Sequence, residues 1–257
     1  MATLDLDALC DCILGTNEEE DEDDKNNFLF PSITRAVIAS GSGGGKTNLI
    51  ISWILSGYIA FDELYVWSPS IHQPKYLMLK KYFETIEKET KQKILFMHEG
   101  SSEIPDPQLL LGKDMEERTK NKKRYCFIFD DILLEKMTVI EKYYAYGRHS
   151  RVNCFVLTQS FYALRKSSIR MNMNLLVLFK TESKTLRAIY DSYLSGSLPI
   201  EEFNKFYKEA TNKRFGFITI SIDEPIHAGQ LRDGISRYYI PEEHAPAARK
   251  MMSSITE

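Results

Sequence analysis

The chain has 257 residues, a formal net charge of −3 and only four cysteines. A chain of this length buries a sizeable core in one large domain or one domain with additions. The near-neutral balance excludes a nucleic-acid role based on bulk charge alone. Two of the cysteines sit in apolar strand-like runs, where a buried free thiol is expected; nothing in the pattern suggests a disulfide scaffold, and a reducing compartment fits best.

Residues 1–29 read as an acidic, disordered tail. Leu9, Ile13 and Leu14 make a short apolar patch, Cys10 and Cys12 flank one aspartate, and seven consecutive acids run from Glu18 to Asp24. The start lacks the basic and long apolar regions of a signal peptide. No later stretch is long and apolar enough to predict a membrane span, so membrane insertion is not expected.

From residue 30 to 257 the pattern is that of one α/β domain. Short runs that are apolar throughout recur at Ala36–Ala39, Leu64–Trp67, Ile94–Met97, Tyr125–Phe129, Cys154–Leu157 and Leu175–Phe179. Such strands are expected where helices cover both faces of a parallel sheet. Lys75–Lys91, Val139–Gly147 and Lys184–Leu194 carry helix-compatible spacing between them. Near the end, Ile218, Ile220 and Ile222 alternate with Thr219 and Ser221, which predicts a half-exposed antiparallel strand near the sheet edge. The expected architecture is a P-loop NTPase three-layer sandwich with a mainly parallel sheet and an antiparallel C-terminal edge.

The strongest motif follows the first apolar run. Ser40, Gly41, Ser42, Gly43, Gly44, Gly45, Lys46 and Thr47 separate a strand from a helical segment. Glycines let backbone N–H groups turn toward phosphate oxygens, and the following helix adds the positive end of its dipole. Lys46 is the expected partner of the outer phosphates and the Thr47 hydroxyl the expected Mg²⁺ ligand. The usual first glycine of this pattern is Ser40. The predicted cofactors are ATP and Mg²⁺.

Tyr125–Asp131 ends a buried strand in two acids, placing carboxylates at the C-terminal edge of a parallel sheet, where α/β ligands bind. Asp130 then supports Mg²⁺ beside Thr47, and Asp131 is the candidate for polarising the attacking water, with Glu135 as a substitute. Aspartate is shorter than the glutamate many such ATPases use at that step. Val152–Gln159 is a further buried strand ending in a polar residue, and Gln159 is placed to sense a γ-phosphate. Arg148, Arg151 and Arg170 are candidates for an arginine supplied to a neighbouring subunit's site. The basic cluster Arg118, Lys120, Lys122, Lys123 and Arg124 is a candidate contact for a phosphate backbone.

Taken in order, residues 40–48, 68–76, 129–131, 147–151, 157–159 and 169–172 resemble the genome-packaging ATPases of poxviruses, other nucleocytoplasmic large DNA viruses, virophages and polinton-like elements. These form a branch of the FtsK–HerA superfamily, and the resemblance spans about residues 30–222. It implies an ATP-driven translocase that acts as a homo-oligomeric ring and threads double-stranded DNA into a preformed capsid. The implied partners are DNA and viral capsid or portal-vertex proteins. The implied location is the cytoplasm or virus factory of an infected cell, extending to the virion. On the resemblance, Arg148 leads Arg151 and Arg170 as the trans-acting arginine. Two other readings stand beside it: a P-loop ATPase of another DNA-transfer or assembly system, and a nucleotide-gated scaffold with little turnover.

Overall fold

A computed structural model describes residues 2–5, 26–100, 104–112, 123–147, 151–164 and 166–241. The acidic run Glu18–Asp24, Cys10, Cys12, Arg118, Lys120, Lys122, Arg148 and His149 lie outside these residues. The strands are β1 (Ala2–Asp5), β2 (Arg35–Ala39), β3 (Glu63–Ser68), β4 (Leu95–Glu99) and β5 (Tyr125–Asp130). They continue with β6 (Val152–Thr158), β7 (Leu175–Phe179), β8 (Phe217–Ser221), β9 (Leu231–Asp233) and β10 (Arg237–Ile240). The helices are α1 (Lys46–Leu55), α2 (Pro74–Thr90), α3 (Pro107–Leu111), α4 (Leu133–Gly147), α5 (Ser183–Tyr193) and α6 (Ile200–Ala210). The chain divides into two compact units, Asp23–Asn174 and a second made of Met1–Glu22 with Leu175–Glu257.

The larger unit is an all-parallel sheet in the order β2, β6, β5, β3, β4. Five of the six apolar runs form it; β2, β3, β5 and β6 are buried on both faces as expected, whereas β4, at the end of the order, is only half-buried. The sequence order is not the spatial order: β6 inserts between β2 and β5. Alternate residues of β3 and β5 put Tyr65, Trp67, Phe127 and Phe129 on one face. Tyr65 stacks on Phe96 of β4 with centroids 4.5 Å apart, and Trp67 stacks on Phe129 at 5.2 Å. Tyr143 of α4 covers this ladder, its ring 4.5 Å from Phe127. α2 begins at Pro74, whose fixed φ suits a first helical position, and ends at Lys91 in the left-handed region (φ 57°). Its buried stripe is Tyr76, Leu79 and Phe83, spaced for one helical face.

At the N-terminal edge of this sheet two buried amides lock together. Asn153 Oδ1 accepts from Thr34 N–H at 2.7 Å and from Asn26 Nδ2 at 2.9 Å. Its Nδ2 donates to Asn26 Oδ1 at 3.1 Å and to the Ala60 carbonyl at 3.0 Å. A buried asparagine inside an otherwise apolar strand is thereby fully satisfied.

The smaller unit is antiparallel, in the order β7, β8, β9, β10, β1. Leu175–Phe179 is buried throughout, as its all-apolar pattern predicts, and pairs antiparallel with β8. Two sequence expectations are corrected here. β8 itself is not half-exposed: it lies between β7 and β9, and Ile218, Thr219, Ile220 and Ser221 are all buried. The buried Thr219 hydroxyl is satisfied by donating to the Gly234 carbonyl at 2.6 Å, so the period of two reflects polar satisfaction, not solvent. A short strand, β1, also stands inside the stretch read as tail, paired with β10.

Candidate nucleotide site

The site lies within the larger unit, where β2, β6 and β5 end together: Ala39 pairs with Thr158, and Asp130 with Leu157. Ser40 continues the ladder by donating its N–H to the Thr158 carbonyl at 3.1 Å. The chain then turns through the glycines. Gly43 (φ 70°) and Gly45 (φ 104°) occupy the left-handed side of backbone space, and Gly45 is the N-cap of α1. Gly44 is required for a different reason. A Cβ there would sit 1.7 Å from the Ser40 hydroxyl oxygen and 3.0 Å from Ser40 Cβ. The departure from the usual motif at Ser40 is therefore matched by the absence of a side chain at Gly44.

Lys46 is 6% exposed, and its ammonium folds back on the loop, donating to the Ser40 carbonyl at 3.0 Å and the Gly41 carbonyl at 3.4 Å. Those carbonyls hold the charge in place at the mouth of the loop. Thr47, one residue on, donates its hydroxyl to Asp130 Oδ2 at 3.0 Å. The pair joins the first turn of α1 to the last residue of β5, 83 residues away in sequence. Burial pushes the Asp130 carboxyl above the usual carboxylate range, opposed by hydrogen bonds from Tyr76 and Thr47.

Tyr76 has a place that sequence reading missed. It is fully buried, and its hydroxyl donates to the same Oδ2 at 2.5 Å. Burial and the adjacent Asp130 charge push the phenol far above its ordinary value, so it stays a donor. The residue stands in the motif-bearing segment 68–76, but nothing in its spacing marks a contact to a carboxylate 54 positions away.

Asp131 leaves the strand in the left-handed region (φ 55°), which a short polar side chain tolerates, while its N–H still donates to the Leu157 carbonyl at 3.1 Å. The turn carries its exposed carboxylate away from the buried Asp130. Gln159 meets it: Nε2 donates to Asp131 Oδ2 at 3.1 Å. The fold thus brings Lys46, Thr47, Asp130, Asp131 and Gln159 to one edge.

The arginines are placed differently. Arg151 precedes β6 at the opposite edge of the sheet, roughly 20 Å from Thr158 at about 3.3 Å per strand residue. There its carbonyl accepts from Tyr125 N–H, and it shares a surface cavity with Asn26, Arg124 and Asn153. Arg170 closes a π-helical turn, Lys166–Arg170, with its guanidinium 5.4 Å from the ring centroid of Phe161, two residues past Gln159. In the basic cluster, Arg124 forms an ion pair with Asp62 and Lys123 with Glu63. Glu135 lies in α4, outside the described side chains.

A buried carboxylate facing a threonine hydroxyl is an all-oxygen donor set, which suits a hard cation such as Mg²⁺. Thr47 and Asp130 are the residues that would hold it. A glycine-rich loop between strand and helix, a strand-end carboxylate beside the helix-start hydroxyl, and an added strand between the two define a P-loop NTPase fold. No family model matches the chain, and no curated protein matches it. The first solved structures it is similar to are of the genome packaging NTPase B204 from Sulfolobus turreted icosahedral virus 2. In complex with AMP, that protein is 15% identical over 74% of this chain and 93% of its own, with a TM-score of 0.47. The chain is also similar to EssC (ATPases 2 and 3) from Geobacillus thermodenitrificans, 14% identical over 61% of this chain and 34% of that one, TM-score 0.45. A KaiC-like protein from Pyrococcus horikoshii is 16% identical over 63% of this chain and 81% of its own, TM-score 0.36. Among the described residues, no helix is long and apolar enough to cross a membrane.

Proposed function

We propose that this chain binds and hydrolyses ATP and that, assembled as a homo-oligomeric ring, it drives double-stranded DNA into a preformed viral capsid. The observation that carries the hydrolytic part is the pairing of Thr47 with Asp130 beside the pairing of Gln159 with Asp131, all at one sheet edge. The packaging role, the capsid or portal partner and the infected-cell location rest on the sequence resemblance.

The loop N–H groups and Lys46 would bind the phosphates, the ammonium exchanging its hold on the Ser40 and Gly41 carbonyls for phosphate oxygens. Mg²⁺, when bound, neutralises charge on the phosphates. Thr47 donates its proton to Asp130, which leaves its oxygen lone pairs for an electropositive neighbour. Asp131 is exposed and displaced from that carboxylate, where it can accept a proton from water. Gln159 holds Asp131 in place and couples it to the end of β6. An arginine from a neighbouring subunit would complete the charge stabilisation; we assign that role first to Arg148.

The test is ATP hydrolysis by the purified chain, measured with and without double-stranded DNA together with its oligomeric mass. Hydrolysis stimulated by DNA in an oligomer, and abolished by Lys46→Ala, is the expected result. Folded protein that binds no ATP in a titration would overturn the reading at its base.

One observation favours the nucleotide-gated scaffold as a second reading: the proposed base is an aspartate already held by Gln159. Single-turnover kinetics separate the two. An Asp131→Asn variant hydrolysing at the unchanged rate removes Asp131 from the chemistry.

A further inference from the structure

Asp130 is held from two sides by groups that belong to different elements. Thr47 comes from the first turn of α1 and Tyr76 from the first turn of α2, and both hydroxyls donate to Oδ2, at 3.0 Å and 2.5 Å. A carboxylate oxygen has two lone pairs in its plane, so two donors saturate it. The second oxygen, Oδ1, takes no hydrogen bond from the described residues. Tyr76 is fully buried, and its helix is fixed against the sheet by Leu79 and Phe83. Its ring cannot follow a moving carboxylate, so the hydroxyl is a fixed stop.

We infer that Tyr76 is a positioning residue for the metal site: by capping Oδ2 it fixes the rotation of the Asp130 carboxylate and leaves Oδ1 as the oxygen offered to Mg²⁺ or its water. This rests on the reading of Asp130 as the metal-supporting residue. Thr47 alone cannot fix that rotation, because its hydroxyl is itself a proposed metal partner and its own χ1 rotor is the only stop left. Outer partners that orient a metal-binding group commonly govern affinity by about 10–100-fold when removed.

The experiment titrates Mg²⁺ into protein holding a fluorescent ATP analogue, and separately titrates that analogue in EDTA. In Tyr76→Phe, which keeps the buried ring, the half-saturating Mg²⁺ concentration should rise about 10-fold. Metal-free affinity, which depends on the loop and Lys46, should stay within about twofold of the parent. In an Asp130→Asn background the Tyr76→Phe change should add nothing. If Asp130→Asn raises the half-saturating concentration and Tyr76→Phe does not, the inference fails while the site assignment stands. If neither changes it, the site assignment fails as well.

A second measurement leaves Tyr76 and its hydroxyl in place. A 3-fluorotyrosine placed site-specifically at position 76 keeps ring and hydroxyl in place. Its fluorine resonance should move when Mg²⁺ joins bound nucleotide, and should stay still in Asp130→Asn. A resonance indifferent to Mg²⁺ in the parent protein overturns the inference.

Discussion

Gly44→Ala is the sharpest probe of the phosphate loop, because the obstacle to it is one identifiable side chain. Gly44 is not in the left-handed region, so backbone strain does not forbid alanine there. The new Cβ would stand 1.7 Å from Ser40 Oγ, 3.0 Å from Ser40 Cβ and 3.2 Å from the Gly41 carbonyl oxygen. Ordinary carbon contacts lie at about 3.5–4.0 Å. The hydroxyl can rotate away only by giving up its 3.2 Å hydrogen bond to the Gly41 carbonyl, a loss of about 0.5–1.5 kcal/mol. Ser40 Cβ cannot rotate away, so the loop must shift, and overpacking of this kind costs about 1–3 kcal/mol. If the phosphate-binding conformation carries that cost, nucleotide affinity falls roughly 5–150-fold. Ser40→Gly removes both offending atoms. The double variant Ser40→Gly/Gly44→Ala should therefore recover most of the lost affinity, with a coupling energy of about 1–2 kcal/mol. The assay is titration of a fluorescent ATP analogue in EDTA, which isolates the loop from metal binding. A double variant that binds no better than Gly44→Ala alone refutes the steric reasoning.

Gly45→Ala provides the contrast: at φ 104° its cost is in the backbone, about 1–3 kcal/mol, so affinity should fall and Ser40→Gly should not restore it. Asn153→Ala removes four hydrogen bonds and strands the Thr34 N–H and the Ala60 carbonyl, while Asn26 keeps the Pro31 carbonyl and the Ala60 N–H; denaturant unfolding should show a loss of about 2–4 kcal/mol, and a loss under 1 kcal/mol would contradict the network. Glu87 is tied to Leu95 N–H, to Lys93 and to Ile94 N–H; burial alone would raise its carboxyl, but these bonds outweigh it and hold the value below the ordinary 4.5. A depressed folded value stabilises above the unfolded one and is lost as pH falls through the folded one. Glu87→Gln should thus cost about 1–2 kcal/mol at neutral pH, and the gap to the parent should close as pH drops below 4.5. A gap that persists at lower pH would mean that charge is not its source.

Much of the site was legible because its parts are local. The phosphate loop needs only adjacent glycines, a lysine and a threonine between a strand and a helix, and all of these are neighbours in sequence. Asp130 was legible as the end of an all-apolar strand, since acids at that position fall at the C-terminal edge of a parallel sheet. Gln159 was legible for the same reason. Its hydrogen bond to Asp131, 28 positions back, was not, because no local pattern marks a contact between two strand ends. α6 went unread, although Phe203, Phe206, Tyr207 and Ala210 make a buried stripe at helical spacing.

The sequence by itself determined the chemistry on offer: which strand carries the loop, which strand carries the acids, and that a further strand ends in an amide. Local propensity and burial pattern suffice for that, because they act over a few residues. Only the tertiary structure decided the neighbours. Sheet pairing inserts β6 between β2 and β5, and puts Arg151 at the edge away from the loop. The packing of α2 brings Tyr76 across 54 positions onto the oxygen that Thr47 already holds. The turn of the loop, closed by the Gly44 N–H on the Gly41 carbonyl, sets Ser40 against Gly44, so that a serine at the usual place of a glycine is accommodated by an open space four residues later. Contacts between elements depend on strand order and helix seating, and those are settled by burying the whole core at once.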